Sequence, residues 1–276
     1  MTVPRARKRF GQHFLEAVWS AKVLRAIAPQ PTDVFLEIGP GRGALTRSLV
    51  ETAAHVVAVE IDRDLAAALR SNAGPQLTIV QGDFLALTPG ELRAAFAGAG
   101  IGPRTPVRVA GNLPYNVASP ILFRLLDLRS GGLALADATV MLQREVAERL
   151  LAPPGTRDYG VLSILIQHQA AVRAELALPP GAFRPVPKVA STLVRLRFHP
   201  PEPAPRSLPA FTQLVKAVFT RRRKTLANAL SALNLTEPRS PLDALRQAGI
   251  DGRRRPETLS IAELVRLSDA FTGAVL

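Results

Sequence analysis

Short apolar runs alternate with segments of helical spacing over roughly the first half of the chain. Val34-Phe-Leu-Glu-Ile38 runs into a cluster of glycines, and residues 44–50 then carry apolar side chains on one helical face. Residues 56–60 form a second run before a helix at 64–70, and residues 77–80 a third. Residues 107–110 precede Asn112-Leu-Pro-Tyr115 and an apolar helix at 121–126; residues 139–142 precede a helix at 144–151. Short strands that are apolar on both faces, alternating with helices, predict a parallel α/β sheet with helices on both sides. Ligands of such sheets bind beyond the carboxyl ends of the strands, near the point where strand order reverses.

The pattern changes towards the C-terminus. Residues 189–198 alternate like a half-exposed strand, and His199-Pro-Pro-Glu-Pro-Ala-Pro205 then interrupts every regular period. Beyond it, residues 210–233, 241–248 and 260–271 have helical spacing. The expected organisation is an α/β domain over 1–198, a proline-rich linker over 199–209 and a small all-helical domain over 210–276.

Composition narrows the class. The chain is 47% hydrophobic and 21% charged, ordinary for a globular protein, and lacks the ~18-residue apolar run of a membrane span. The basic start is followed by Gly11-Gln12-His13 where a secretory signal would be apolar, so no such signal and no membrane partner is expected. The absence of cysteine removes thiolate chemistry and suits the cytoplasm. The four histidines are scattered without ligand spacing, and no metal is expected. Net charge is +13, concentrated at the ends: residues 1–30 carry six Lys/Arg against one acid, and residues 200–276 twelve against seven. A nearly balanced middle between basic ends fits a catalytic body with elements that grip a polyanion, with a solvated basic surface as the alternative.

The first strand-to-helix turn reads Glu37-Ile-Gly39-Pro-Gly41-Arg-Gly43-Ala44, where glycines let the backbone approach a ligand. Seventeen residues after Gly43, Glu60 closes the next strand and can accept hydrogen bonds from ribose hydroxyls. Asp83 follows the third strand, suited to an adenine amine, with Phe84 beside the ring. Together these point to an adenosine-type ligand. The glycines alone also satisfy a dinucleotide fingerprint, and the acids alone could be helix caps.

Asn112-Leu113-Pro114-Tyr115 supplies the chemistry. The exocyclic amine of adenine is a poor nucleophile because its lone pair is delocalised into the ring. Acceptance of both N–H bonds, by the Asn112 side-chain oxygen and the Leu113 carbonyl, turns that lone pair towards an electrophilic methyl group. Pro114 would stiffen the turn and Tyr115 would stack on the base, an interaction worth ~1–3 kcal/mol. A paired or stacked adenine would have to be extruded first. Phe183 stands in a proline-stiffened loop and could close the other face of the base, or simply pack beneath the loop.

These motifs, with Arg7-Lys-Arg-Phe-Gly-Gln-His-Phe-Leu15, Gln143-Arg-Glu-Val146, Tyr159-Gly160, residues 183–191 and Phe219-Thr-Arg-Arg-Arg-Lys-Thr-Leu226, resemble the ribosomal small-subunit RNA adenine dimethyltransferases from end to end. The resemblance implies a Rossmann-like class I methyltransferase sheet plus a helical C-terminal domain, and S-adenosyl-L-methionine as cofactor. It implies cofactor contacts from His13, Leu15, Gly39, Glu60, Asp83 and Asn112, to which the glycine turn and the strand-end reading add Gly41 and Phe84. Tyr115 and Phe183 are implied as clamps on the target base. His13 stands where many members carry asparagine. The implied reaction is N6,N6-dimethylation of two adjacent adenosines in a 3′-terminal hairpin of small-subunit ribosomal RNA. The partner is that RNA, or an assembling small ribosomal subunit, and nothing demands more than a monomer. RNA contacts are expected from Arg7, Lys8 and Arg9 and from part of the run Arg221, Arg222, Arg223 and Lys224, read as helical. Open alternatives are a large-subunit RNA dimethyltransferase of the antibiotic-resistance type, an RNA-binding assembly factor with little turnover, and a dinucleotide oxidoreductase.

Overall fold

A computed structural model describes residues 12–231 and 240–272; Arg7, Lys8 and Arg9 therefore lie outside the described residues. Its central strands are the apolar runs. They are β2 (Val34–Ile38), β3 (His55–Glu60), β4 (Leu77–Gln81), β5 (Val107–Asn112) and β6 (Leu135–Gln143). All five are parallel, and β9 (Ser191–Phe198) runs antiparallel to β6. With β7 (Ala170–Leu178) the sheet has the order β4-β3-β2-β5-β6-β9-β7. A separate two-stranded ribbon pairs β1 (Phe14–Leu15) with β8 (Phe183–Arg184).

From β2 the chain proceeds outward through β3 and β4, then returns to place β5 on the other side of β2. The switch point thus falls between β2 and β5, where Ile38 is level with Gly111. A Cβ at Gly111 would meet the Ile38 carbonyl oxygen at 2.5 Å, so glycine is what lets the two strands stay in register at their carboxyl ends. Every residue of β2 and β3 is buried, which explains their largely apolar character.

Helices α2 (Thr46–Thr52), α3 (Arg63–Arg70), α5 (Ala118–Ser130) and α6 (Arg144–Leu151) lie near the expected positions. Three were not read from the periodicity: α1 (Ala17–Ile27), α4 (Pro89–Gly98) and α7 (Val161–Gln167). For α4 a signal was present, the reciprocal cap in which Thr88 and Glu91 exchange side-chain and backbone hydrogen bonds. Strand β7 also escaped notice; most of its residues are exposed or half-buried, so the chain there lacks an apolar run.

The chain divides into two compact units, residues 1–147 with 172–198, and residues 148–171 with 199–276. Residues 148–171, expected in the α/β domain, thus group with the C-terminal helices. The proline-rich segment is fastened within that second unit. His199 N donates to Gln169 O, Glu202 N to His168 O, His168 Nε2 to Pro203 O and Arg206 N to Asp269 Oδ1, all at 2.7–3.0 Å.

The helical reading of Arg221–Lys224 is corrected by the structure. Helix α8 (Leu208–Thr220) stops before the run, which forms a turn, and α9 (Leu226–Leu230) begins after it. The physical cause is competition for backbone donors: Leu226 N and Ala227 N bond to the carbonyls of Arg254 and Gly252, at 2.7 and 2.9 Å, instead of continuing α8. Helices α10 (Pro241–Ala248) and α11 (Ile261–Thr272) complete the unit. Among the described residues no helix is long and apolar enough to cross a membrane.

Candidate active site

A cleft opens at the carboxyl ends of β2 and β5, the place where sheets of this kind bind ligands. Its walls include His13, Leu15, Gly39, Gly41, Glu60 and Asn112, all expected to meet a cofactor, together with Leu113, Pro114 and Tyr115. Two halves of the sequence reading, the nucleotide turn and the amine-binding turn, therefore share one cavity.

On the nucleotide side Gly39, Gly41 and Gly43 have φ of 67°, 60° and 77°, a region that favours glycine. At Gly41 the requirement is double, because a Cβ would also press on the Phe14 ring at 3.1 Å. The turn is held open by Glu60, whose Oε2 accepts from Gly41 N and Oε1 from Asp62 N, both at 2.9 Å. Each oxygen keeps a further lone pair for a ligand. Burial pushes the Glu60 carboxyl up, opposed by these backbone bonds.

Glu37 is the residue that sequence reasoning missed. It is 2% exposed, lines the cleft, and its Oε2 has no hydrogen-bond partner. Burial pushes its carboxyl up to about 7. A charged residue inside an otherwise apolar strand was the available signal. Ile61, 41% exposed on the same wall, was missed as well.

On the amine side, Asn112 Nδ2 donates to the His13 carbonyl at 2.6 Å. That bond fixes the orientation of the amide, because an oxygen in that place would face a second oxygen. Oδ1 is left buried without a partner. The Tyr115 ring is held at two points: its hydroxyl shares a hydrogen bond with Ser191 Oγ at 2.9 Å, and the His13 ring stacks on it at 5.3 Å and 24°. Burial pushes the Tyr115 phenol up, partly offset by Ser191. The His13 ring also donates from Nδ1 to Pro185 O at 2.7 Å.

Three expected site residues lie elsewhere. Phe183 is fully buried in the core with Leu15, Leu178 and Leu193, not on the cleft wall, because β8 pairs with β1 and turns the ring inward. Asp83 is exposed and accepts from Leu85 N at 3.0 Å, forming the turn after β4, and Phe84 is buried beside it; neither lines the cleft. In the second unit Arg221, Arg223 and Lys224 are exposed, whereas Arg222 is tied to Thr156 O and Glu257.

A parallel sheet with an antiparallel strand inserted beside β6, and a cleft at the β2–β5 switch point, defines a class I methyltransferase. Solved structures agree. A dimethyladenosine transferase from Plasmodium falciparum superposes with a TM-score of 0.74 at 23% identity, covering 92% of this chain and 96% of that one. The 23S rRNA methyltransferase ErmE gives a TM-score of 0.64 at 26% identity, covering 94% and 100%. Residues 3–272 match the ribosomal RNA adenine dimethylase family, and the chain belongs to it. A curated relative, the ribosomal RNA small subunit methyltransferase A of Anaeromyxobacter sp. (strain K), is 47% identical over 268 residues, 95% of this chain and 92% of the relative.

Proposed function

We propose that this protein transfers methyl groups from S-adenosyl-L-methionine to the N6 amines of two adjacent adenosines in a 3′-terminal hairpin of small-subunit ribosomal RNA. The observation that carries this reading is the Asn112 amide, which has its nitrogen committed to His13 and its oxygen buried and unpartnered. An unpartnered buried acceptor costs about 1–3 kcal/mol, a cost removed when an adenine N–H arrives.

The residues of the opposite wall fit the cofactor. The glycine turn admits it without Cβ contacts, Glu60 has lone pairs for ribose hydroxyls, and the Glu37 carboxylate suits a cationic amine. Bound there, S-adenosylmethionine supplies an electrophilic methyl group. The chain's own residues do the rest. Asn112 Oδ1 and the Leu113 carbonyl draw the amine towards tetrahedral geometry, and Pro114 and Tyr115 hold the base plane. The proton released from the amine passes to solvent. Because these acceptors are fixed before substrate arrives, no reorganisation is needed as the nitrogen becomes nucleophilic.

The small subunit is favoured as substrate by the 47% identity to a small subunit methyltransferase, against 26% to ErmE. Exposed Arg221, Arg223 and Lys224, with Arg7, Lys8 and Arg9 of the N-terminal arm, suit contacts to RNA phosphates. The test is incubation with labelled cofactor and undermodified small ribosomal subunits, followed by mapping of the label. Two adjacent N6,N6-dimethyladenosines near the RNA 3′ end are expected; label confined to large-subunit RNA would overturn the assignment.

A further inference from the structure

Extrusion of a stacked adenine leaves a gap in the RNA. Beside the cleft the segment 185–190, Pro-Val-Pro-Lys-Val-Ala, places two large aliphatic side chains in solvent, Val186 at 55% and Val189 at 44% exposure. Both side chains stand on a segment that is anchored at its ends. His13 donates to Pro185 O at 2.7 Å, Arg144 N donates to Ala190 O at 3.0 Å, and the adjoining Ser191 bonds to Tyr115 at 2.9 Å. Two of these anchors, His13 and Tyr115, are themselves walls of the cleft. Pro187, between the valines, is buried, and Lys188 is exposed with no ion pair among the described residues.

We propose that this loop is an RNA wedge: Val186 and Val189 occupy the space vacated by the extruded adenine, and Lys188 takes a flanking phosphate. The proposal rests on the adenine-methylation reading and adds to it the means of extrusion. Three features favour RNA as the occupant. The loop that carries the apolar pair is hydrogen-bonded at its ends to two residues of the cleft wall, a cation sits between the valines in sequence, and apolar side chains between base steps are a recurrent way to hold an unstacked duplex open. Valine is stiff at χ1 and the loop is already ordered, so little freedom is lost when the wedge engages.

The test uses the full chain with Val186 and Val189 both replaced by serine, exposed positions at which folding is not at stake. Turnover is measured on undermodified small ribosomal subunits. Base extrusion is followed by the fluorescence of 2-aminopurine placed at the target position of the hairpin, at saturating protein. The variant should keep its cofactor affinity, lose turnover by about tenfold and lose most of the fluorescence rise seen with the unaltered protein. Lys188→Gln should weaken RNA affinity with the fluorescence rise at saturation retained. Unaltered turnover and fluorescence in the double variant overturn the wedge, as does lost turnover with fluorescence intact. If the unaltered protein labels no adenine at all, the methylation reading itself fails.

Discussion

The two ends of the sheet are built from similar materials to opposite effect. At the amino ends of β5 and β6, Arg108 bridges Asp33 at 2.6 Å and Asp137 at 2.9 Å, and donates to the carbonyls of Ile27 and Ala28 at the end of α1. Arg195 pairs with Asp137 and Glu175 and also reaches the last turn of α1. Charge there is matched within the chain, and the negative end of a helix is capped. At the carboxyl ends, polar atoms on the cleft wall are buried without partners. Glu37 Oε2 and Asn112 Oδ1 have no hydrogen-bond partner, and Glu60 is held by backbone donors. One end is tied by ion pairs; the other leaves polar atoms unpartnered on a cleft wall.

Removal of one member of the closed end should have the largest effect on folding. Arg108→Ala would leave the half-buried Asp33 without its ion pair and Asp137 with Arg195 alone, and would remove two donors from the end of α1, at a cost of about 3–5 kcal/mol. Denaturant unfolding checks this, and a loss below about 1 kcal/mol would show that the network is not what holds that end. Cofactor affinity of the folded fraction should hold. Asn112→Ala should do the reverse: turnover falls by about 10²–10³, the size of losing one preorganised polar group, while the unfolding midpoint stays level or rises. A variant that instead unfolds early would make Asn112 a structural residue.

Glu37 divides the ends by pH. Its folded-state carboxyl titrates at about 7 against an ordinary value of 4.5, so between those values the folded chain keeps a proton that the unfolded chain has released. Stability from this group is therefore greatest below about 4.5 and falls as pH rises to about 7. In ligand-free protein, Glu37→Gln should raise Tm at pH 8 and leave it unchanged near pH 4.5. Cofactor affinity should rise with pH through 7 in the unaltered protein, as the carboxylate forms, and the variant should flatten that rise at a cost of about tenfold in affinity. A pH-independent affinity in both would remove Glu37 from the ligand site.

How much of this was legible follows from the same contrast. The strands β2 to β6 and the turns that end them were readable because each carries a short, mostly apolar run, buried on both faces in β2 and β3, and because glycine, asparagine and proline announce a turn that must be shaped. Edge strand β7 was not, since a half-exposed strand with Arg173 and Glu175 has no such run. The place of Asn112 and Tyr115 on the cleft wall follows from their spacing to a strand end. Phe183 was misplaced because a motif gives a residue's neighbours along the chain, whereas the β1–β8 pairing that turns its ring inward joins segments far apart in sequence. The Arg108 network could not be read at all: Asp33, Arg108, Asp137 and Arg195 meet only when the strands are aligned.

The smallest expected effect extends the contrast to the helical unit, where neighbouring cations differ in the same way. Arg222 is engaged by Thr156 O at 3.3 Å and Glu257 at 3.6 Å, whereas Arg223 and Lys224 are exposed without ion pairs among the described residues. If unmatched charge marks a ligand-facing surface, Arg223→Ala with Lys224→Ala should lower the slope of log affinity for RNA against log salt by about 1.5, since each phosphate contact on a single strand contributes about 0.7. Arg222→Ala should leave the slope nearly unchanged and lower the unfolding midpoint slightly, because its half-exposed pair with Glu257 is weak. The reverse assignment, a slope that follows Arg222 alone, would break the rule that separates paired from unpaired charge in this molecule. Cofactor affinity should be the same in all three proteins, which keeps the RNA surface distinct from the cleft.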